Sequence, residues 1–258
     1  MPEPKSKSME KVEEIFIDKN SEIGILMLHG FSSTPRQFLE LAEYLSARNF
    51  SVHAPLIAGH GTCPEDMAKI GPEQWKQSVK DAYIELKKKA KKVVIVGNSF
   101  GANLAFWLAR EIDNEPIAIV SLGAPIFLYW HKWIRFRLNT YGRLKKYYRK
   151  PSRMYKIDYT DMRDEVSYPF IPTKSLNEFF DFIEKETMVN LSKVTSPVLI
   201  ANANHDGVIH PKSAAYIFSH IGSKIKEVFW FNSSHHGVAG AGCEGLFTKI
   251  HNFIKEVV

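Results

Sequence analysis

The chain has 258 residues, 45% of them hydrophobic, with a net charge of +6. That is enough apolar material for one large core, so a single α/β domain carrying an insertion is expected rather than two independent domains. The excess charge is local, which speaks against a general nucleic-acid binder and for a locally charged lid.

The basic stretch runs from Ile126 to Lys156. It holds Lys132, Arg135, Arg137, Arg143, Lys145, Lys146, Arg149, Lys150, Arg153 and Lys156 and no acidic residue, leaving 24 basic against 28 acidic residues elsewhere. Met1 to Lys11 is polar and charged, so no secretory leader is expected. The longest uncharged stretch, Pro116 to Trp130, is shorter than the ~20 residues a bilayer requires. No membrane-spanning helix is expected, and the expected location is cytoplasmic. Cys63 and Cys243 form no Cys-x-x-Cys pair; free thiols are the intracellular norm, and a disulfide between them stays open.

In chain order, Glu13 to Asp18 reads as an outer strand and Ile23 to Leu28 as a buried one ending at His29-Gly30-Phe31. Thr34-Pro35-Arg36-Gln37 has the form of a capping box, and Phe38, Leu41, Ala42 and Leu45 give the next helix one apolar face. Phe50 to Ala54 is a short strand, Pro55 to Gly71 a loop, and Pro72 to Lys89 a helix with Trp75, Val79 and Leu86 inward. Val93 to Val96 is a β-branched run that enters Gly97-Asn98-Ser99-Phe100-Gly101, and a helical pattern leaves it. Glu115 to Leu122 is another strand. The β-α rhythm pauses from residue 125 to about 191 and resumes at Pro197 to Ala203. A helix from Pro211, a strand at Ile225 to Phe231 and a helix at Glu244 to Val257 follow. Such alternation predicts a mostly parallel sheet covered on both faces, built from residues 1–124 and 192–258, with 125–191 as a cap.

Gly-x-Ser-x-Gly between a buried strand and a helix predicts a nucleophile elbow. Ser99 would sit at the tip with φ above zero, and Gly97 and Gly101 would be needed because strand and helix leave the turn close together. A serine nucleophile needs a base, and the base an orienting carboxylate. Asp206, just past the strand ending at Ala203, fits the acid, and His236 is the preferred base over its neighbour His235. Phe100 and Phe31 are the expected donors of the oxyanion-hole N–H groups. His29 is read as structural, buried below its loop. Activity would then fall at acid pH with an apparent pKa near ~6.5. His53, His60 and Cys63 match no zinc spacing, so no metal is expected, and no cofactor.

Taken together, His29-Gly30-Phe31 with Thr34-Pro35, Gly59-His60-Gly61, Gly71-Pro72 with Trp75, the Ser99 pentapeptide, Pro197 to Asp206 and Ser234-His235-His236 are similar to the α/β-hydrolase superfamily. The chain resembles its carboxylesterases of the monoacylglycerol lipase and cinnamoyl esterase type. The resemblance implies an α/β-hydrolase fold with a small helical cap after the sixth strand, and a Ser–Asp–His esterase acting on a small-molecule ester. His235 stands where that family usually has glycine.

Phe127, Trp130, Ile134, Leu138 and Tyr141 form a stripe that either roofs an acyl pocket or docks the cap; both can hold. Phe31, Trp130, Ile134 and Val208 are the expected substrate contacts. Asn177 to Asn190 reads as a second cap helix with Phe179, Phe180 and Ile183 buried. The basic run reads first as a solvated face and second as weak attraction to anionic interfaces, without stable insertion. Rival readings are an acyltransferase or thioesterase with the same triad, and a ligand receptor that keeps the fold without turnover. The sequence does not specify acyl length, alcohol or oligomeric state.

Overall fold

The computed structural model describes residues 12–141, 145–150, 169–233 and 244–258. Its elements begin with β1 (Ile15–Ile17), β2 (Ile23–Leu28), α1 (Leu39–Ser46), β3 (Ser51–Ala54), α2 (Pro64–Lys69), α3 (Pro72–Lys87), β4 (Lys92–Asn98), α4 (Phe100–Glu111) and β5 (Ala118–Leu122). The insertion holds α5 (His131–Tyr141), β6 (Tyr147–Arg149), β7 (Phe170–Pro172) and α6 (Thr173–Phe182). The chain then closes with β8 (Val198–Ala203), α7 (Lys212–His220), β9 (Lys226–Phe231) and α8 (Glu244–Val257).

Seven strands make one sheet in the order β1-β3-β2-β4-β5-β8-β9. All its pairs are parallel except β1 with β3. The central strands carry apolar side chains on both faces because helices cover both. Along β4, Val93 and Ile95 point into one layer with α3, α4 and α7, while Val94 and Val96 point into the other with α1 and α8. The same period-two split runs along β2 and β8.

Among the described residues, the cap has no core of its own. Ile134, Leu138, Ile171, Leu176, Phe179, Phe180, Phe182 and Ile183 join the layer formed by α3 and α4. Asn103 of α4 fastens it from below, donating to the Pro125 carbonyl and to Thr187 Oγ1, both at 3.2 Å.

Four expectations are corrected. Among the described residues the insertion follows the fifth strand of the chain, not the sixth, because the antiparallel edge is the single short strand β1. Residues 34–37 form no capping box: Pro35–Phe38 is a 3₁₀ turn, and Thr34 makes no side-chain cap bond. The Gln37 carboxamide instead turns inward, where Oε1 accepts from Asn98 Nδ2 at 2.9 Å and Ser33 Oγ at 3.2 Å. The Asn98 amide is itself buried and needs an acceptor, which the Gln37 carboxamide supplies. The loop before Gly71 contains α2, started by Pro64 with Glu65 and Asp66 in its first turn. Its one turn and a half is too short for a periodic apolar signal. Finally, Trp130 leaves the stripe: it precedes α5 with φ +66 and is 67% exposed, because that turn swings it off the helix face.

Candidate active site

Ser99 is the residue on which the site is built. It caps α4 with φ +52 and ψ −122, a strained conformation for a serine. Its N–H donates to the Leu122 carbonyl at 2.8 Å, and its carbonyl accepts from Ala102 N–H at 2.9 Å. The two glycines around it are sterically fixed. A Cβ at Gly97 would lie 2.5 Å from the Ala102 backbone, and one at Gly101 would run into the Leu28 carbonyl. The turn is thus clamped between β4, α4 and β2 by main-chain atoms, with the positive end of the α4 dipole beneath Ser99.

The loop after β2 comes next to it. A Cβ on Gly30 would stand 3.2 Å from Ser99 Cβ. His29 is wholly buried under this turn, as read from the sequence. Its Nδ1 donates to the Gly30 carbonyl at 3.0 Å, and its Nε2 accepts from Ile57 N–H at 3.0 Å. Only a neutral imidazole can do both. Burial, with His60 nearby, holds His29 well below the ordinary histidine range. The Gly30 carbonyl also accepts from Ser33 N–H at 3.1 Å. It belongs to the same peptide unit as Phe31 N–H, so two donors fix that plane and polarise its amide.

The side chains of Phe31 and Phe100 meet edge to face, with ring centroids 5.7 Å apart. Trp75 and the cap residue Phe179 pack against both. His60 touches Phe31 from the other side and is buried, which draws its pKa down to about 4. Of the other residues weighed for zinc, His53 Nε2 meets Glu14 at 3.1 Å and Cys63 precedes α2.

The loop that carries Asp206 leaves β8 two strands away from the Ser99 turn, at the same carboxyl edge. Asp206 is buried at 6% exposure, and its Oδ1 accepts from Val208 N–H at 2.7 Å and Ile209 N–H at 2.9 Å. These bonds stabilise the ionised carboxylate. Val208 is half-buried, and its carbonyl accepts from Tyr129 N–H at 3.0 Å, tying the Asp206 loop to the start of the cap. At the end of β9, Phe231 and Ser233 carbonyls accept from Asn204 and His205 N–H groups at 2.9 and 3.0 Å. The chain therefore leaves the last strand alongside Asp206. His235 and His236 lie outside the described residues, as do Cys243, Arg143, Arg153 and Lys156.

Ile134 is buried and Phe127 partly buried against the common core, so the stripe docks the cap at those positions. The basic run divides. Arg135 pairs with Asp181 at 2.7 Å and Glu184 at 2.9 Å; Lys132, Arg137, Lys145, Lys146 and Arg149 are exposed; Lys150 is buried. Lys150, Ser32 and Gln37 are site neighbours that sequence reading missed. For Lys150 the one available signal was its place beside the Tyr147-Tyr148 strand, which alternates into the core layer through Tyr148.

A family model described as serine aminopeptidase, S33 (Hydrolase_4) matches residues 20–240. This chain belongs to that α/β-hydrolase family. A thermostable monoacylglycerol lipase of Bacillus sp. (strain H-257) is 30% identical to it over 223 residues, 86% of each chain. A carboxylesterase of Bacillus subtilis (strain 168) is 27% identical over 86% of this hydrolase and 87% of its own length. Among solved structures, one from the metagenome-derived lipolytic enzymes LipS and LipT superposes with a TM-score of 0.86 at 23% identity, covering 97% of this chain and 100% of that one. The Paleococcus ferrophilus monoacylglycerol lipase gives 0.77 at 15% identity, covering 96% and 100%. The family and its relatives support serine ester hydrolysis as the activity of this hydrolase. Among the described residues, no helix is long and apolar enough to cross a membrane.

Proposed function

We propose that this hydrolase cleaves carboxylic esters of short to medium acyl chains, or monoacylglycerols, through an acyl-enzyme on Ser99. The observation that carries the reading is the strained Ser99 at φ +52 beside the Gly30 turn, with a buried, doubly hydrogen-bonded Asp206 at the same sheet edge. Ser99 Oγ attacks the ester carbonyl while His236 takes its proton. Asp206 orients the imidazole and stabilises its charged form. The N–H groups of Phe31 and Phe100 receive the oxyanion. His236 then protonates the leaving alcohol, and a water activated the same way releases the acid. As substrate contacts we propose Phe31, Ile134 and Val208. A fluorophosphonate probe should label the protein and fail to label Ser99→Ala, which should also lose at least about 10⁴-fold in kcat on p-nitrophenyl esters. Labelling that persists in Ser99→Ala would overturn the assignment, and a chain-length series that includes a monoacylglycerol would fix the substrate.

We also propose weak contact of the cap with anionic lipid interfaces. Tyr129, Trp130, Trp133 and Phe136 are exposed beside Lys132 and Arg137, and aromatic and basic side chains together favour that boundary. Hydrolysis of an ester carried in anionic vesicles should outpace that in neutral ones at low salt. Equal rates would remove this reading.

A further inference from the structure

Lys150 plays no part in the chemistry above, yet it is among the most buried charged side chains of the cap, at 8% exposure. It follows β6 directly, and its backbone N–H donates to the Pro169 carbonyl at 3.0 Å, which anchors it in the β6–β7 pair. Its Nζ reaches down to the body and donates to Ser32 Oγ at 2.6 Å. The Ser32 hydroxyl donates onward to the Phe31 carbonyl. Ser32 is itself buried and holds φ +59, a left-handed conformation that a serine adopts only when its surroundings impose it.

The two peptide planes that meet at Phe31 are thus pinned from opposite sides. His29 and Ser33 hold the plane before it through the Gly30 carbonyl. Ser32 and Lys150 hold the plane after it through the Phe31 carbonyl. The first pair belongs to the body, whereas Lys150 comes from the cap. A methionine of similar length would fill the space without the desolvation that burying an amine entails. Burial draws this amine down to about 7, and an amine donates a hydrogen bond in either charge state.

We infer that Lys150 is a positioning residue for ester hydrolysis: through Ser32 it holds the turn that presents Phe31 N–H, so the oxyanion hole is completed by the seated cap. The inference rests on Phe31 being an oxyanion donor, as proposed above. It differs from a plain structural clip in its kinetic signature. A clip affects stability or substrate binding, whereas misplacing an oxyanion donor lowers kcat.

The test is steady-state kinetics on p-nitrophenyl butyrate with the wild type, Lys150→Met, Ser32→Ala and the double variant. Lys150→Met should lower kcat about 10- to 30-fold with KM changed less than about twofold, a fraction of the loss expected for removing a donor outright. The double variant should be no slower than the slower single variant, since both break one chain. Lys150→Cys alkylated with 2-bromoethylamine, which rebuilds an amine at the same reach, should recover most of kcat, with alkylated wild type as the control. If Lys150→Met does not fold, Ser32→Ala and the alkylated and unalkylated Lys150→Cys protein carry the same comparison. An unchanged kcat, a loss confined to KM, multiplicative losses in the double variant or no recovery on alkylation would each overturn the inference. A wild type inert to every ester and to the fluorophosphonate would overturn the esterase reading instead.

Discussion

The turn at Ser99 and the cap pack into the same apolar layer, yet they are held by different means. At the turn the constraint is main chain against main chain: Gly97 against Ala102, and Gly101 against Leu28. In the cap it is side chain against side chain: Phe179 on Phe31 and Phe100, Asn103 on Thr187, Arg135 on Asp181, and Lys150 on Ser32. A backbone clamp tolerates no substitution but leaves the flanking side chains free to vary. A side-chain clamp can be retuned residue by residue. The contrast places rigid chemistry on the sheet edge and adjustable access above it.

The strongest way to break this comparison is Gly101→Ala. The added methyl would overlap the Leu28 carbonyl, and no rotamer relieves that. The expected loss exceeds about 4 kcal/mol, enough to abolish a folded product; soluble yield and urea unfolding would report it, and an active, folded variant would refute the backbone clamp. Phe179→Ala should be milder, about 3 kcal/mol, at the low end for a buried phenylalanine, because its aromatic neighbours can relax into part of the space. It should leave a folded enzyme with a lower urea midpoint and lower kcat. If it unfolds the chain as completely as Gly101→Ala, the cap is not the softer region.

A third test concerns His60, which lies between the two regions. Its pKa is about 4 in the fold against an ordinary 6.5. The unfolded chain therefore binds more protons between these values, so stability is fully present above pH 6.5 and falls as pH drops toward 4. The decline from this residue is up to about 3 kcal/mol, and buried His29 adds to it in the same direction. Urea midpoints at pH 7.5 and 4.5 should diverge less in His60→Asn than in the wild type. An identical pH slope would mean that His60 is not the acid-sensitive point.

Much of the site was legible in the residues because it is local. The strand into Gly97 and the helix out of Gly101 are adjacent in the chain, so the φ +52 at Ser99 could be anticipated from spacing and sterics. His29 was legible as structural for the same reason: it sits one residue before the turn it supports. Gln37 was misread because its position fits a local capping pattern, while its amide is taken by Asn98, 61 residues on. Trp130 was misread because helical spacing was extended across a residue that lies outside the helix. Ser32 gave no signal and Lys150 only its place two residues after Tyr148, since a contact between residues 118 apart leaves no periodicity of its own.

What the sequence determined by itself was the alternation of strands and helices and the strained serine between two glycines. Each of these depends on neighbours in the chain, where sterics and hydrophobic period act over a few residues. Only the tertiary structure decided that Phe31 and Phe100 share one aromatic cluster with the cap, that Arg135 is neutralised, and that Lys150 points inward rather than to water. Burial and pairing of long side chains depend on which distant surfaces the fold brings together, and that information is carried by the whole chain rather than by any segment of it.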